Sequence, residues 1–138
     1  MKTINLYTDG GARGNPGPAA TGVVIMDSRS KVLTGKSKYL GRATNNQAEY
    51  QALIHGLEEV TKLAGKSKVA VKAHLDSELI VKQMNGEYRV KDAGLKPLFA
   101  KANKLVDLLG GVQFIHVTRD KNNQADFLVN QELDKRRG

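Results

Sequence analysis

Four acidic residues stand at places in this chain where carboxylates could work together on a cation. Asp9 and Asp76 each come at the predicted end of a strand. Glu49 and Asp126 each come in the predicted first turn of a helix, with apolar residues at the neighbouring helical spacings. Four carboxylates without matched basic partners repel one another, which raises their pKa values unless divalent cations neutralise them. Oxygen-only ligands favour a hard ion, Mg²⁺ or Mn²⁺.

Each acid also has an ordinary structural explanation when it is taken singly. The helix dipole favours an acidic residue in a first helical turn, which would account for Glu49 or Asp126. Turn chemistry would account for Asp9 beside Gly10-Gly11. These explanations weaken when all four acids are predicted at one edge of one sheet, so the set together indicates a metal site.

Other kinds of site lack their residues. The chain has no cysteine, which excludes disulfides, thiolate nucleophiles and cysteine zinc sites. Its three histidines, His55, His74 and His116, have no paired metal-ligand spacing. Neither a Gly-x-Ser-x-Gly elbow nor a Gly-x-Gly-x-x-Gly loop occurs, so serine hydrolysis and dinucleotide binding are unsupported.

The elements that must position the acids follow from hydrophobic periodicity. Three strands in an antiparallel meander are predicted first, and a strand after the first helix is predicted parallel to the opening one. Asp9 and Asp76 then share the carboxyl edge of the sheet, where α/β proteins place their sites. The predicted strands are 2–9, 20–27, 31–40, 68–75 and 112–117, and the predicted helices are 45–63, 77–84, 91–109 and 123–134.

This order, β-β-β-α-β-α-α-β-α, predicts an α/β fold with a five-stranded mixed sheet and helices packed on its faces. Its 138 residues predict a single domain, 1–138, with a tail from about residue 135 as the segment expected to be disordered. No apolar run reaches the roughly 18 residues of a membrane span, and no signal peptide is recognisable. We expect a cytoplasmic monomer that does not bind membranes.

The charge of the chain suggests a polyanionic partner. Lysine and arginine number 22 against 14 acids, a formal net charge of +8. Aromatic residues make up only 5% and tryptophan is absent, so a protein that grips a duplex backbone is favoured over one that stacks single-stranded bases.

Four short motifs in order resemble those of type 1 ribonuclease H, across roughly residues 2–134. Each motif carries one of the four acids. The chain resembles the compact form of that family, without the basic handle insertion that many bacterial relatives place between the third and fourth motifs. The motifs are Tyr7-Thr8-Asp9-Gly10-Gly11 with Arg13-Gly14-Asn15-Pro16-Gly17-Pro18, then Thr44-Asn45-Asn46-Gln47-Ala48-Glu49, Leu75-Asp76-Ser77-Glu78-Leu79-Ile80 and Asn122-Asn123-Gln124-Ala125-Asp126.

The resemblance implies an RNase H-like fold and an endoribonuclease that hydrolyses the RNA strand of RNA/DNA hybrids. It implies two Mg²⁺ ions per site with substrate, Mn²⁺ being an alternative, and products with 5′-phosphate and 3′-hydroxyl ends. Carried over position by position, the catalytic metal ligands are Asp9, Glu49, Asp76 and Asp126. The implied substrate-binding residues are Gly10, Gly11, Ala12, Asn15, Thr44, Asn45, Asn46, Gln47 and Ser77.

One departure from the family is the absence of the histidine that many members carry shortly before the last motif. We hypothesise that Arg119 or Lys121 substitutes for it in product release. Two other functions stay open from the sequence: a nuclease that also cuts double-stranded RNA, and a catalytically silent nucleic-acid-binding module on the same fold.

Overall fold

A five-stranded mixed sheet organises the computed structural model, which describes residues 2–137. The spatial order is β3-β2-β1-β4-β5, so the first strand lies at the centre. β1 pairs antiparallel with β2, and β2 with β3, whereas β4 runs parallel to both β1 and β5. The predicted meander and the predicted parallel fourth strand are therefore confirmed. The strands are β1 (Lys2–Ala12), β2 (Gly17–Met26), β3 (Val32–Ala43), β4 (Val69–Leu75) and β5 (Val112–His116).

Four α-helices cover the sheet unequally. α1 packs on β1 and β2 together with α3 on one face, and α4 packs on β2, β3 and β1 on the other. None of the helices between residues 2 and 137 is long and apolar enough to cross a lipid bilayer. The helices are α1 (Asn45–Ala64), α2 (Glu78–Met84), α3 (Lys96–Leu109) and α4 (Asn123–Arg136), and a 3₁₀ turn at Arg119–Asn122 precedes α4.

The two faces of the sheet bury very different amounts of apolar side chain. The face under α1 holds the main core, in which Leu6, Leu53 and Leu57 are fully buried. The face under α4 holds a small cluster of Ala20, Val129 and Leu133, with Tyr39 packed against it. Because hydrophobic stabilisation scales with buried apolar area, most of the stability of the fold resides on the α1 face.

The first strand does not end at Asp9 as the sequence predicted. It continues through Ala12, because Gly10, Gly11 and Ala12 pair in antiparallel register with β2. The pairing of β1 with β4, however, stops at Thr8 opposite Leu75. Asp9 is thus the residue at which the central strand loses one of its two neighbours, and this opens space beside it at the sheet edge.

The third helix begins at Lys96, five residues later than predicted. The apolar pattern of residues 91–109 suited a longer helix, but Asp92 accepts a hydrogen bond from the Gly94 N–H at 2.7 Å and closes a turn instead. Pro97 lies in the first turn, where its missing N–H costs nothing.

Two further boundaries differ from the prediction. Glu49 lies one turn into α1, whose first turn contains no acidic residue, so the helix dipole does not explain it. The last helix continues through Arg136, so residues 135 and 136 of the expected tail are helical, and Gly138 lies outside the described residues. The Arg136 guanidinium lies 4.6 Å from the centre of the Tyr39 ring.

Candidate active site

Three of the four predicted acids converge at the point where β1 and β4 separate. One carboxylate oxygen from each of Asp9, Glu49 and Asp76 lies within 4.8 Å of the others. Asp9 and Glu49 are each only 7% exposed. Asp76 follows β4 directly, and Glu49 reaches the cluster from α1. The three oxygens are close enough to share a divalent cation.

Glu49 reaches the cluster because α1 lies directly against β1. At Gly10, a Cβ atom would overlap the main-chain carbonyl of Ala48, so only glycine permits this approach. The Gly10 N–H donates to Glu49 Oε1 at 3.0 Å. Gly10 therefore allows α1 to approach β1 and also fixes one carboxylate oxygen of Glu49.

The fourth acid, Asp126, enters from the other face of the sheet. It lies in the first turn of α4, as predicted. A Cβ at Gly22 of β2 would overlap the carbonyl of Ala125, so a second glycine admits this helix. Asp126 lies outside the set of three oxygens but lines the same cleft of about 410 Å³, and its negative charge acts on Asp9.

Burial and the charge of neighbouring acids raise the pKa values of two of the acids, Asp9 and Glu49. The pKa of Asp9 is raised to about 7, chiefly by its burial and also by the negative charges of Asp76 and Asp126. Burial likewise raises the pKa of Glu49 well above its usual value, and the neighbouring Asp9 carboxylate adds to this. A proton can neutralise this pair in the metal-free protein, and a divalent cation would replace it.

The residues present fit a hard divalent cation. All the donors are carboxylate oxygens, which suit Mg²⁺ and Mn²⁺. Glu49 Oε2 is buried and has no hydrogen-bond partner among residues 2–137. A buried carboxylate oxygen is costly to leave unpaired, so a metal ligand role accounts for it better than a structural role does.

The predicted substrate-binding residues divide into two groups. Those of the first group line the cleft beside the acids: Gly10, Gly11, Ala12, Asn45 and Ser77. Those of the second group do not line it: Asn15, Thr44, Asn46 and Gln47.

Hydrogen bonds tie several of these residues to one another. Thr44 and Gln47 form a reciprocal capping box at the start of α1. Asn45 Oδ1 accepts from the Ala12 N–H at 3.0 Å, and Asn15 Oδ1 accepts from the Asn45 N–H at 3.0 Å. Because each side-chain oxygen accepts one of these hydrogen bonds, the amide NH₂ groups of Asn15 and Asn45 point away from them. These NH₂ groups can donate hydrogen bonds to a bound ligand.

Two arginines that are not among the predicted metal ligands or substrate-binding residues also line the cleft. Arg119 is one, whereas Lys121 does not line this cleft but a separate pocket with Tyr7 and Met26. The other is Arg13, which forms an ion pair with Asp134 at 2.8 Å and donates to the Asn130 carbonyl oxygen. The partners of Arg13 lie more than 100 residues away in sequence, so no local pattern could have revealed the contact.

Comparisons with known proteins agree with this geometry. Residues 7–132 match a family model described as reverse transcriptase-like. The crystal structure of LC11-RNase H1 in complex with an RNA/DNA hybrid is 47% identical, with a TM-score of 0.95 over 98% of this chain and 99% of that chain. The crystal structure of RNase H1 from Halobacterium salinarum is 36% identical, with a TM-score of 0.91 over 96% of this chain and 98% of that one.

The mycobacterial relatives match along almost the whole chain but are longer. The Bifunctional protein Rv2228c of Mycobacterium tuberculosis is 42% identical over 97% of this chain. The chain spans only 36% of the length of that relative. The solved N-terminal RNase H domain of the same protein is 38% identical, with a TM-score of 0.88 over 94% of this chain and 97% of that chain.

Proposed function

This chain belongs to the type 1 ribonuclease H family, and from that premise we propose that it hydrolyses the RNA strand of RNA/DNA hybrids. It acts as a metal-dependent endonuclease and leaves 5′-phosphate and 3′-hydroxyl ends. The observation that carries the proposal is the cluster of Asp9, Glu49 and Asp76, whose oxygens converge within 4.8 Å at the floor of an open cleft. A relative solved with a hybrid supports the choice of substrate.

The acids hold two divalent ions, with Mg²⁺ the proposed cofactor and Mn²⁺ the alternative. Asp9 interacts with each of the other three acids and would be the ligand shared by both ions, while Glu49, Asp76 and Asp126 would complete the two ligand sets. Such ions, when bound, activate the attacking water and stabilise charge on the leaving oxygen. The chain therefore needs no nucleophile of its own, in keeping with the lack of cysteine.

Selection of the RNA strand requires groups that detect the 2′-hydroxyl, which is both donor and acceptor in the wide minor groove of an A-like duplex. We assign this role to the main chain of Gly10–Ala12 and to the amide NH₂ groups of Asn15 and Asn45. The hydrogen bonds that link Asn15, Asn45 and Ala12 join these donors to the strand that carries Asp9. The groups proposed to recognise ribose are thus held by hydrogen bonds to β1, the same strand that positions Asp9.

Attraction of the duplex is assigned to dispersed basic side chains in place of an inserted basic handle. The net charge of +8 supplies a long-range attraction to phosphates. Within the cleft itself, Arg13 and Arg119 are the cations that can reach a phosphate beside the acids.

The test is cleavage of an end-labelled RNA/DNA hybrid with Mg²⁺, in parallel with single-stranded RNA, double-stranded RNA and duplex DNA. Cleavage of the hybrid is expected, with loss of at least roughly 1,000-fold in Asp9→Asn because the shared ligand is removed. The matched control is Asp107→Asn, which removes an exposed carboxylate on α3 and should leave the rate unchanged.

Other outcomes would redirect the proposal. Equal cleavage of double-stranded RNA would widen the substrate class. Binding of the hybrid without cleavage, in both Mg²⁺ and Mn²⁺, would replace the enzyme with a nucleic-acid-binding module on the same fold.

A further inference from the structure

Asn122 is the only asparagine among the described residues that is almost completely buried, with 1% of its surface exposed. It is the last residue of the 3₁₀ turn and stands directly before α4, at the position where an asparagine normally caps a helix. Its side chain forms no capping hydrogen bond there. It turns instead into the edge of the sheet.

The Asn122 amide nitrogen reaches two acceptors, one on β1 and one directly after β4. It donates to the Thr8 main-chain oxygen at 2.8 Å and to Asp76 Oδ2 at 3.4 Å. A carbonyl and a carboxylate only accept, so the NH₂ group, with its two hydrogens, must face them. An aspartate of the same shape could not serve both partners at neutral pH.

These contacts join the three elements that carry three of the acids. Thr8 is the residue before Asp9 and the last β1 residue that pairs with β4. Asp76 follows the end of β4, and Asn122 itself lies four residues before Asp126. One side chain therefore crosses the gap that opens where β1 and β4 separate.

We propose that Asn122 is a positioning residue that fixes the relative placement of Asp9, Asp76 and Asp126 for metal binding. Repelling carboxylates otherwise rotate and separate, and a charge-assisted hydrogen bond to one oxygen of Asp76 restricts that rotation. Residues that hold metal ligands in place typically contribute 10–100-fold to metal affinity or activity. The inference rests on the proposed function, because it assigns metal ions to these acids.

The experiment compares Asn122→Ala and Asn122→Ser with the wild type. Serine keeps one small donor and alanine keeps none. Mn²⁺ binding is measured by calorimetry without substrate, and kcat and KM are measured on the hybrid. The matched control is Asn5→Ala, because Asn5 also donates its amide to a main-chain oxygen, that of Asp27 at 3.3 Å, near the opposite end of β1.

For Asn122→Ala we expect Mn²⁺ affinity and kcat each to fall by roughly 10–100-fold, with KM within about twofold. Asn122→Ser should lie between alanine and the wild type, and Asn5→Ala should match the wild type in both measurements. If the alanine variant does not fold, the serine variant decides by the same criteria. This pattern separates positioning from general destabilisation, because Asn5→Ala also loses a structural hydrogen bond.

Wild-type Mn²⁺ affinity and kcat in a folded Asn122 variant would overturn the inference. A lower melting temperature with unchanged affinity and kcat would also overturn it, since the hydrogen bonds would then be structural only. If the wild type binds Mn²⁺ but cleaves no hybrid, the proposed function fails while the binding measurements still decide the role of Asn122. A wild type that binds no Mn²⁺ would overturn both.

Discussion

Asp9 is held where its own charge is unfavourable to the folded chain. Its carboxylate is buried, lies near three further acids, and has a pKa raised to about 7. Such a residue weakens the metal-free fold and is maintained only because the site needs it. A neutral side chain of the same shape would remove this destabilisation of the metal-free fold.

We therefore predict that Asp9→Asn is more stable than the wild type in the presence of a chelator. The gain should be on the order of 1–3 kcal/mol at pH 8, or several degrees in melting temperature for a chain of this size. Saturating Mg²⁺ should raise the melting temperature of the wild type far more than that of the variant, because cation binding stabilises the folded state that holds the intact site. Thermal melts with and without Mg²⁺ measure both effects.

The pH dependence of this difference has a defined sign. At pH 5 the folded wild type keeps Asp9 protonated, whereas the unfolded chain, with a pKa near 3.8, is already ionised. The folded state therefore loses stability as the pH rises from about 3.8 to about 7, and the advantage of Asp9→Asn should grow from pH 5 and level off before pH 8. If the stability difference between Asp9→Asn and the wild type stayed constant from pH 5 to pH 8, the raised pKa of Asp9 would not be its cause.

Arg119 is the residue we expect to assist turnover in place of the missing histidine. It lines the cleft with the acids, whereas Lys121 does not line it. Arg119→Ala should lower kcat by roughly tenfold through loss of a cation near the scissile phosphate, and Lys121→Ala should stay within about twofold of the wild type. Steady-state kinetics on the hybrid make the comparison, and wild-type rates in both variants would leave neither residue in that role.

Residue types and spacing predicted the acids but not the side chains that hold them. Asp9, Glu49 and Asp76 converge as expected. Asn122, by contrast, contacts a strand 114 residues earlier in the sequence, and in the sequence it is only the first residue of the fourth motif. Long-range hydrogen bonds of this kind leave no periodic signal in a single sequence.

At the scale of elements, two glycines set how closely the helices approach the sheet. Gly10 admits α1 and Gly22 admits α4, each against a main-chain carbonyl that a Cβ atom would overlap. Because main-chain atoms of a helix cannot shift individually, a methyl group at either position must displace the whole helical turn. That turn carries Glu49 in one case and Asp126 in the other.

Gly22→Ala is predicted to cost roughly 2–4 kcal/mol of unfolding free energy and to lower kcat by displacing Asp126. The control is Gly35→Ala on β3, where a Cβ would meet Leu128 at an ordinary 3.8 Å and should cost less than about 1 kcal/mol. Chemical denaturation gives the two free energies. Equal costs at the two positions would mean that α4 tolerates displacement and that Gly22 is not required for its approach.

The type and order of the predicted helices and strands were right. Their boundaries were wrong mainly where hydrogen bonds at a turn or between strands override the local sequence pattern. The glycines after Asp9 indicate a loop, yet pairing with β2 keeps them extended to Ala12. The apolar spacing after residue 91 indicates a helix, yet the Asp92 side chain closes a turn before Lys96. In both cases tertiary or side-chain hydrogen bonds, which single-sequence patterns do not contain, decided the boundary.

At the scale of the whole molecule, apolar burial differs between the two faces of the sheet. The elements that carry the four acids therefore differ in local stability. Three acids belong to elements joined to the main core, whereas Asp126 belongs to α4, which packs over the small cluster of Ala20, Val129 and Leu133. The ion pair of Arg13 with Asp134 adds little, since both side chains are partly exposed to solvent.

Native-state hydrogen exchange should therefore find α4 opening at a lower free energy than α1. We expect amide protons around Val129 to exchange through a local opening, and those around Leu53 only through global unfolding. Exchange measured against denaturant concentration distinguishes the two, and a single common free energy for both helices would refute the division.

Such an opening of α4 would move Asp126, a proposed metal ligand, out of the cleft. It would also break the hydrogen bonds of Asn122 to Thr8 and Asp76, while the sheet itself stayed intact. The molecule would then exist in a third condition besides native and denatured: folded, able to attract a duplex, and unable to cut it. Mild heat, denaturant or a competing binding partner would thus abolish the proposed nuclease activity by detaching α4, well before the fold itself was lost.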